Sequence, residues 1–141
     1  MAGSALSVEG FEELLDRYMP QVGKAGIRVS AMGAGTCTLR VDPNDDMVRA
    51  GGTLSGPSMF ALADLALYGA VLSRIGAVPL AVTSQMSINF LRKPPVKAMV
   101  AEARLLRLGK RSAYGEILIF SEGEADPVAH ATGSYAIPAQ G

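Results

Sequence analysis

An acidic residue stands alone in the most apolar part of the sequence. Asp64 is the only charged residue between Pro57 and Ser73. An ionised carboxylate in such surroundings costs free energy unless another group pairs with it or hydrogen-bonds to it. A partly desolvated aspartate that faces a cleft suits a nucleophile or a general base. The alternative is a structural carboxylate at a helix or subunit contact, satisfied by backbone N–H groups or an arginine.

The segment that carries Asp64 begins with Ser55, Gly56 and Pro57, which is typical of a helix start. The first N–H groups of a helix lack internal partners and can stabilise a developing oxyanion, and glycine lets a carbonyl approach the backbone closely. Gly56 and Asp64 are separated by about 12 Å along a helix, so one chain cannot bring both to one carbonyl. Two antiparallel copies of the helix could, and a site that uses both residues therefore requires a dimer.

Basic residues are concentrated between positions 92 and 111. This stretch has seven basic residues and one acidic residue, so its local net charge is +6 in a chain whose formal net charge is zero. One interpretation is a solvated strand edge, where lysine and arginine discourage aggregation. The other is a phosphate-binding rim, which would suit a thioester that carries a nucleotide. The basic residues are Arg92, Lys93, Lys97, Arg104, Arg107, Lys110 and Arg111.

Histidine and cysteine each occur once, which limits the chemistry available to the chain. His130 and Cys37 are too few for a structural zinc site, and they leave Ser-His or Cys-His machinery poorly supplied. We expect His130 to be a packed or edge residue on a strand and Cys37 to be an inert core thiol. The balanced charge argues against nucleic acid or an anionic membrane as a partner.

Length and composition indicate one folded domain over residues 1–141. Hydrophobic residues make up 49% of the chain, which excludes intrinsic disorder. The start of the chain has no basic segment followed by an apolar run, so no secretory signal is expected. The longest apolar stretch, 59–72, has 14 residues, whereas a membrane span needs about 20. We therefore expect a cytoplasmic protein without a membrane partner.

The hydrophobic pattern predicts two helices and six strands. A short amphipathic helix over 9–19, ended by Pro20, precedes a long buried helix over 55–76. Strict alternation in the strand after the long helix puts Ser84 and Met86 on one face and Thr83 on the other. Hairpin-length gaps between strands predict an antiparallel sheet, which can bury one long apolar helix only by curling around it. The fold class is therefore α+β, with strands over 24–32, 35–41, 80–91, 97–108, 112–121 and 127–137 and a loop over 42–54.

The long helix and the strands after it resemble a known family. The segments GGTLSGPSMFALADLALYGAV and AVTSQMSINFLRKP are similar to the hotdog-fold acyl-CoA thioesterases of the phenylacetate-degradation type, and RSAYGEILIFSEGEADPVAHATGSYAIP looks like their closing strands. The likeness runs from about Gly51 to Pro138. It implies a long central helix wrapped by a curved antiparallel sheet, with dimers formed through the sheets.

The resemblance also implies roles for individual residues. Asp64 falls on the family's catalytic acid, which acts as a nucleophile on the thioester carbonyl or as a base for water, and Gly56 falls on the glycine whose N–H polarises that carbonyl. Thr83 falls near the hydroxyl residue that orients the water, with Ser84 as the fallback one position later. Two positions depart from the family pattern: Ser55 replaces a histidine and would donate a hydrogen bond, and Arg49 replaces an asparagine and would bind substrate charge. The residues implied to meet the phosphates of coenzyme A are Arg92, Lys93, Lys110 and Arg111.

The function implied by the resemblance is hydrolysis of acyl-CoA thioesters with small, medium or aromatic acyl groups. It implies no metal and no cofactor, since coenzyme A is part of the substrate, and a homodimer or a dimer of dimers. The altered residues at positions 55 and 49 leave a second hypothesis open, a hotdog protein that binds acyl-CoA without hydrolysing it. A hydratase or dehydratase ranks last, because that chemistry usually needs a histidine beside the acid.

Overall fold

Six strands form one antiparallel sheet against a single long helix. The computed structural model describes residues 3–139. In chain order the elements are α1 (Val8–Tyr18), α2 (Pro20–Lys24), β1 (Ile27–Gly33), β2 (Thr36–Val41), a 3-10 turn (Asp45–Met47), β3 (Val48–Arg49), β4 (Thr53–Leu54), α3 (Gly56–Ile75), β5 (Val82–Phe90), β6 (Met99–Leu108), β7 (Ser112–Ser121) and β8 (Ala129–Ala136).

The strand order across the sheet is β1-β2-β6-β7-β8-β5, and every pairing is antiparallel. Helix α3 contacts all six strands, from one edge of the sheet to the other. A sheet of this width reaches one helix with both of its edges only by curving around it. The expected α+β fold, a curved antiparallel sheet around one central helix, is confirmed.

The sequence of α3 explains its length and its central position. The Ser55 side chain accepts a hydrogen bond from the Ser58 N–H at the start of the helix, and Gly76 ends it with a φ of 85°. Between these ends the helix is apolar on all sides, and twelve of its residues are buried. By length and composition alone α3 could cross a membrane, but most of it is buried within the fold, as in a core helix.

Close packing brings α3 against β2. A Cβ atom added at Gly69 would overlap the Cys37 Sγ and would lie 2.7 Å from Phe11 Cε2. Cys37 is a free, buried cysteine, as predicted, and burial raises the pKa of its thiol to about 12. A thiol with such a pKa stays protonated and is a weak nucleophile at neutral pH.

The N-terminal region differs in part from the prediction. Helix α1 forms, as predicted, and buries Phe11, Leu14 and Leu15. Pro20 ends α1 and also begins α2, where proline is favoured because the first helical N–H needs no partner. Because α2 occupies part of the predicted strand 24–32, that strand begins only at position 27.

Strand β5 contains a β-bulge that makes the predicted alternation wrong. Thr83 pairs with Tyr135 and Gln85 pairs with Ser134, so the residue between them has no partner of its own. The extra residue reverses the side-chain alternation at this point. Thr83 therefore faces α3, on the same side as Met86, whereas Ser84 points outward.

Candidate active site

The carboxylate of Asp64 accepts two hydrogen bonds from buried or half-buried hydroxyls. The Thr83 hydroxyl donates to Asp64 Oδ1 over 2.6 Å, and the Tyr135 hydroxyl donates to the same oxygen over 2.8 Å. The Tyr135 hydroxyl also lies 3.1 Å from the backbone oxygen of Asp64. Asp64 itself is half-buried, so its charge is stabilised by hydroxyl donors without being removed from solvent entirely.

Three elements bring these groups together. Asp64 lies on the face of α3 that packs on β5 and β8, and the bulge in β5 turns Thr83 towards it. Tyr135 is the cross-strand partner of Thr83 in β8. The two donors are therefore neighbours on one face of the sheet, although 52 positions separate them along the chain.

Tyr135 is a fixed donor. Burial, and then the negative charge of Asp64, raise the pKa of Tyr135 above its usual value. The phenol consequently keeps its proton over the whole physiological range. Its ring stacks on Tyr68 with centroids 5.8 Å apart, and the Tyr68 hydroxyl donates to the Pro79 carbonyl.

Asp64 lies on the wall of an apolar cleft of about 560 Å³. The cleft lies between the α1–α2 segment on one side and α3 with the start of β5 on the other. Asp64 is the only charged residue among those that line it. The apolar part of the lining includes Met19, Val22, Ile27, Leu65, Pro79 and Ala81.

Gly56 lies at a second, adjoining groove of about 460 Å³. This groove is lined by Gly56, Pro57, Phe60, Ala61, Ile88 and Phe90, and Ala61 lines the cleft of Asp64 as well. A Cβ atom added at Gly56 would lie 3.2 Å from Phe90 Cζ. Since Gly56 is beside Phe90 and Asp64 is beside Thr83, α3 runs antiparallel to β5.

Ser55 and Arg49, the two residues that depart from the family pattern, lie apart from the Asp64 carboxylate within one chain. The Ser55 side chain caps α3: it accepts from the Ser58 N–H over 3.2 Å and donates to the Ser58 hydroxyl over 2.8 Å. Arg49 is exposed on β3 and lines neither the cleft nor the groove. Within one chain neither residue contacts Asp64.

The fallback residue Ser84 lies on the outer face of the sheet, where its hydroxyl donates to the Ser134 carbonyl. It is therefore separated from Asp64 by the sheet itself. Of the two candidates Thr83 and Ser84, Thr83 is the one whose hydroxyl reaches the carboxylate.

The basic residues do not form one cluster in a single chain. Arg92 and Lys93 follow the Phe90 end of β5. Lys110 and Arg111 directly precede Ser112 in β7. Ser112 and Val82 both pair with Ala136, so Lys110 and Arg111 lie at the Val82 end of the sheet. The length of β5 separates the two pairs by about 26 Å, at about 3.3 Å per residue. Arg92 also donates to the carbonyls of Asp126 and Pro127.

His130 lies on the outer face of β8 and contacts Glu116, which also forms an ion pair with Arg104 over 2.6 Å. It is a half-buried residue on an inner strand and does not line the cleft, and its position on a strand was expected. Among residues 3–139 no group of three or more histidine, cysteine, aspartate or glutamate side chains could hold a metal ion.

Tyr135 is the site residue that the sequence analysis did not identify. It ends the motif ATGSY, but no periodicity or spacing connects that motif with Asp64. Only the pairing of β8 with β5, together with the bulge, brings its hydroxyl to the carboxylate.

Known proteins are similar to this chain in sequence and in fold. Residues 51–128 match the family model of the thioesterase superfamily, a segment that includes α3 and β5 but not Tyr135. A crystal structure from Silicibacter sp. TM1040, named provisionally as a thioesterase, is 41% identical, with a TM-score of 0.87, over 96% of this chain and 94% of that one. A Saccharolobus solfataricus protein, named provisionally as an esterase, is 29% identical over 94% of this chain and 86% of its own length.

A third similarity concerns the fold alone. The Escherichia coli PaaI protein, from the phenylacetic acid degradation operon, is 22% identical, with a TM-score of 0.82, over 93% of each chain. Together with the family match over more than half of the chain, this similarity confirms the hotdog arrangement that the sequence predicted. The chain therefore belongs to the thioesterase superfamily.

Proposed function

We propose that this protein hydrolyses acyl-CoA thioesters to a free acid and coenzyme A. The observation that carries the proposal is the Asp64 carboxylate, held by two hydroxyls on the wall of an apolar cleft of about 560 Å³. An apolar cleft suits the acyl group, and a carboxylate at its wall suits attack on the adjoining carbonyl. The reaction requires only water as a second reactant.

Asp64 has two chemically consistent roles. As a general base it takes a proton from water while the water oxygen bonds to the thioester carbonyl carbon; the C–S bond then breaks and the proton passes to the departing sulfur. As a nucleophile it bonds to the carbonyl carbon itself and expels the thiolate, and water then hydrolyses the resulting anhydride. The half-buried position and the hydroxyl donors serve either route.

A second copy of the chain would complete the site. Strand β5 is an edge strand whose outer side has no partner among residues 3–139, and apolar side chains are exposed along and beside it at Leu80, Val82, Phe90 and Leu91. Edge strands of this kind pair readily with another chain. An antiparallel pairing of two β5 strands would bring Asp64, in the middle of one α3, towards Gly56 at the start of the other.

The same pairing would bring basic residues of the two chains close together. It would bring the Val82 end of one sheet, with Lys110 and Arg111, towards the Phe90 end of the other, with Arg92 and Lys93. The two pairs could then meet the phosphates of one coenzyme A molecule. We propose a homodimer, alone or as half of a dimer of dimers, as the active form.

Release of free thiol tests the proposal directly. The full chain is incubated with acetyl-, hexanoyl-, decanoyl- and phenylacetyl-CoA, and kcat and KM are measured. We expect Asp64→Asn to lower kcat by about 10²–10⁴-fold, the usual contribution of a general acid–base group. Asp16→Asn, an exposed aspartate on α1, is the matched control and should retain wild-type activity. Equal turnover by wild type and Asp64→Asn would remove Asp64 from the mechanism.

The competing function is acyl-CoA binding without hydrolysis. Calorimetric binding of acyl-CoA with no thiol released over hours would favour it, and rapid hydrolysis would exclude it. Sedimentation equilibrium tests the dimer separately, because a fully active monomer would contradict a site shared between two chains.

A further inference from the structure

We propose that Tyr135 is a positioning residue for Asp64: its hydroxyl, with that of Thr83, holds the carboxylate by Oδ1 and leaves Oδ2 as the oxygen that reacts. This inference rests on the proposed thioesterase function and concerns the same site. It adds a residue that lies outside the matched family segment, 51–128.

The hydrogen bonds are distributed unequally between the two carboxylate oxygens. Both hydroxyl donors, at 2.6 and 2.8 Å, fall on Oδ1, and within residues 3–139 no hydrogen bond reaches Oδ2. The lone pairs of Oδ2 are consequently available to a water molecule or to a carbonyl carbon. A carboxylate held by one oxygen in this way cannot exchange its two oxygens by rotation without breaking two charge-assisted hydrogen bonds.

Of the two donors, Tyr135 is the more buried and the more tightly packed. It is 4% exposed, it lies on an inner strand between β5 and β7, and its ring stacks on Tyr68. Thr83 instead belongs to the edge strand and is less buried. Tyr135 is therefore the donor that is more firmly fixed by its surroundings.

The surroundings make the hydroxyl a permanent donor. The titratable side chains that line the cleft, besides Asp64, are Tyr18 from α1, Tyr68 from α3 and Tyr135 from β8, and β5 contributes none. No cationic side chain lines the cleft to compete for the carboxylate. Among the side chains that line the cleft, only the hydroxyls of Thr83 and Tyr135 bind the Asp64 carboxylate.

The test replaces tyrosine by phenylalanine at two positions. Tyr135→Phe keeps the ring and its stack on Tyr68 but removes the donor, whereas Tyr114→Phe removes a hydroxyl from the outer face of β7 and serves as the matched control. We expect Tyr135→Phe to lower kcat about tenfold, which corresponds to about 1.4 kcal/mol, with KM changed less than twofold.

Wild-type kcat and KM in Tyr135→Phe would overturn the inference while leaving the thioesterase function intact. A second measurement does not depend on activity. In protein labelled with ¹³C at the aspartate carboxyls, the Asp64 resonance is assigned by its loss in Asp64→Asn and compared in Tyr135→Phe and Thr83→Val at pH 7.5.

We expect the Asp64 resonance to move in both variants and to stay unchanged in Tyr114→Phe. An unmoved resonance in Tyr135→Phe would refute the contact itself. The Asp64 resonance could instead move in Tyr135→Phe while the wild-type protein hydrolyses no thioester. That result would refute the proposed function and support the role of Tyr135 as the residue that holds Asp64.

Discussion

Replacement of Gly69 by alanine tests how closely α3 must approach the sheet. In an exposed helix this substitution would stabilise the protein by about 1 kcal/mol, since alanine is the better helix former. Here the added Cβ would overlap the Cys37 Sγ and lie 2.7 Å from Phe11 Cε2. Both neighbours are buried, with exposed fractions of 1% and 0%, so neither can move aside into solvent.

The expected magnitude follows from these two opposing effects. Overpacking of a filled core typically costs about 1–3 kcal/mol, and two contacts below 3.0 Å place Gly69→Ala at the upper end of that range. After the gain in helix propensity, we expect the free energy of unfolding to fall by about 2 kcal/mol. Cys37→Ala removes the sulfur, so Gly69→Ala should cost about 1 kcal/mol less in that background.

Urea denaturation of the four proteins of this double-mutant cycle measures both quantities. The midpoint should decrease in Gly69→Ala with an unchanged m-value, and the coupling energy between the two substitutions should be favourable. A Gly69→Ala protein that is more stable than wild type would refute the close approach of α3 to β2. An absence of coupling would show that Cys37 is not the limiting contact.

Three further predictions concern the cleft, the helix cap and the outer face of the sheet. Val22→Phe narrows the cleft beside Asp64. Under the proposed function the optimum in kcat/KM across an acyl-CoA length series should move to shorter chains, by about fourfold per methylene at about 0.8 kcal/mol each. An unchanged optimum would place the acyl group elsewhere. Ser55→Ala removes the cap of α3 and should lower the free energy of unfolding by about 1 kcal/mol, whereas an unaltered urea midpoint would show that Ser58 or water replaces it. The hydrogen bond from His130 and the contacts from Arg104 lower the pKa of Glu116, so its contribution to stability is present above its ordinary pKa and is lost as pH falls through the lowered value. The decrease in thermal midpoint on acidification should therefore be smaller in Glu116→Gln than in wild type, and equal decreases would contradict this.

Local sequence signals predicted most of the fold because they act over short distances. The apolar run with Ser55 before it and Gly76 after it predicts α3 within one residue at each end. The hairpin-length gaps predict the antiparallel pairing of neighbouring strands. Helix α2, which begins at Pro20, was not predicted. A proline after one helix can end that helix or begin a new one, and the sequence alone does not distinguish the two.

The site was predicted only where one residue sufficed to indicate it. Asp64 was identified from its sequence neighbours, since a carboxylate in an apolar helix is unusual in itself. Thr83 was assigned through the family resemblance, while strict alternation put it on the wrong face. A bulge adds one residue to a strand without a marked change in composition, so alternation alone could not reveal it.

The sequence by itself determined the fold class, the buried helix and the acid it carries, because periodicity, capping and burial cost are properties of nearby residues. Only the tertiary structure decided which hydroxyls reach Asp64. Their approach depends on the pairing of β8 with β5, segments about 50 positions apart. Such pairing is set by the packing of the whole sheet around α3, and no short stretch of sequence encodes it.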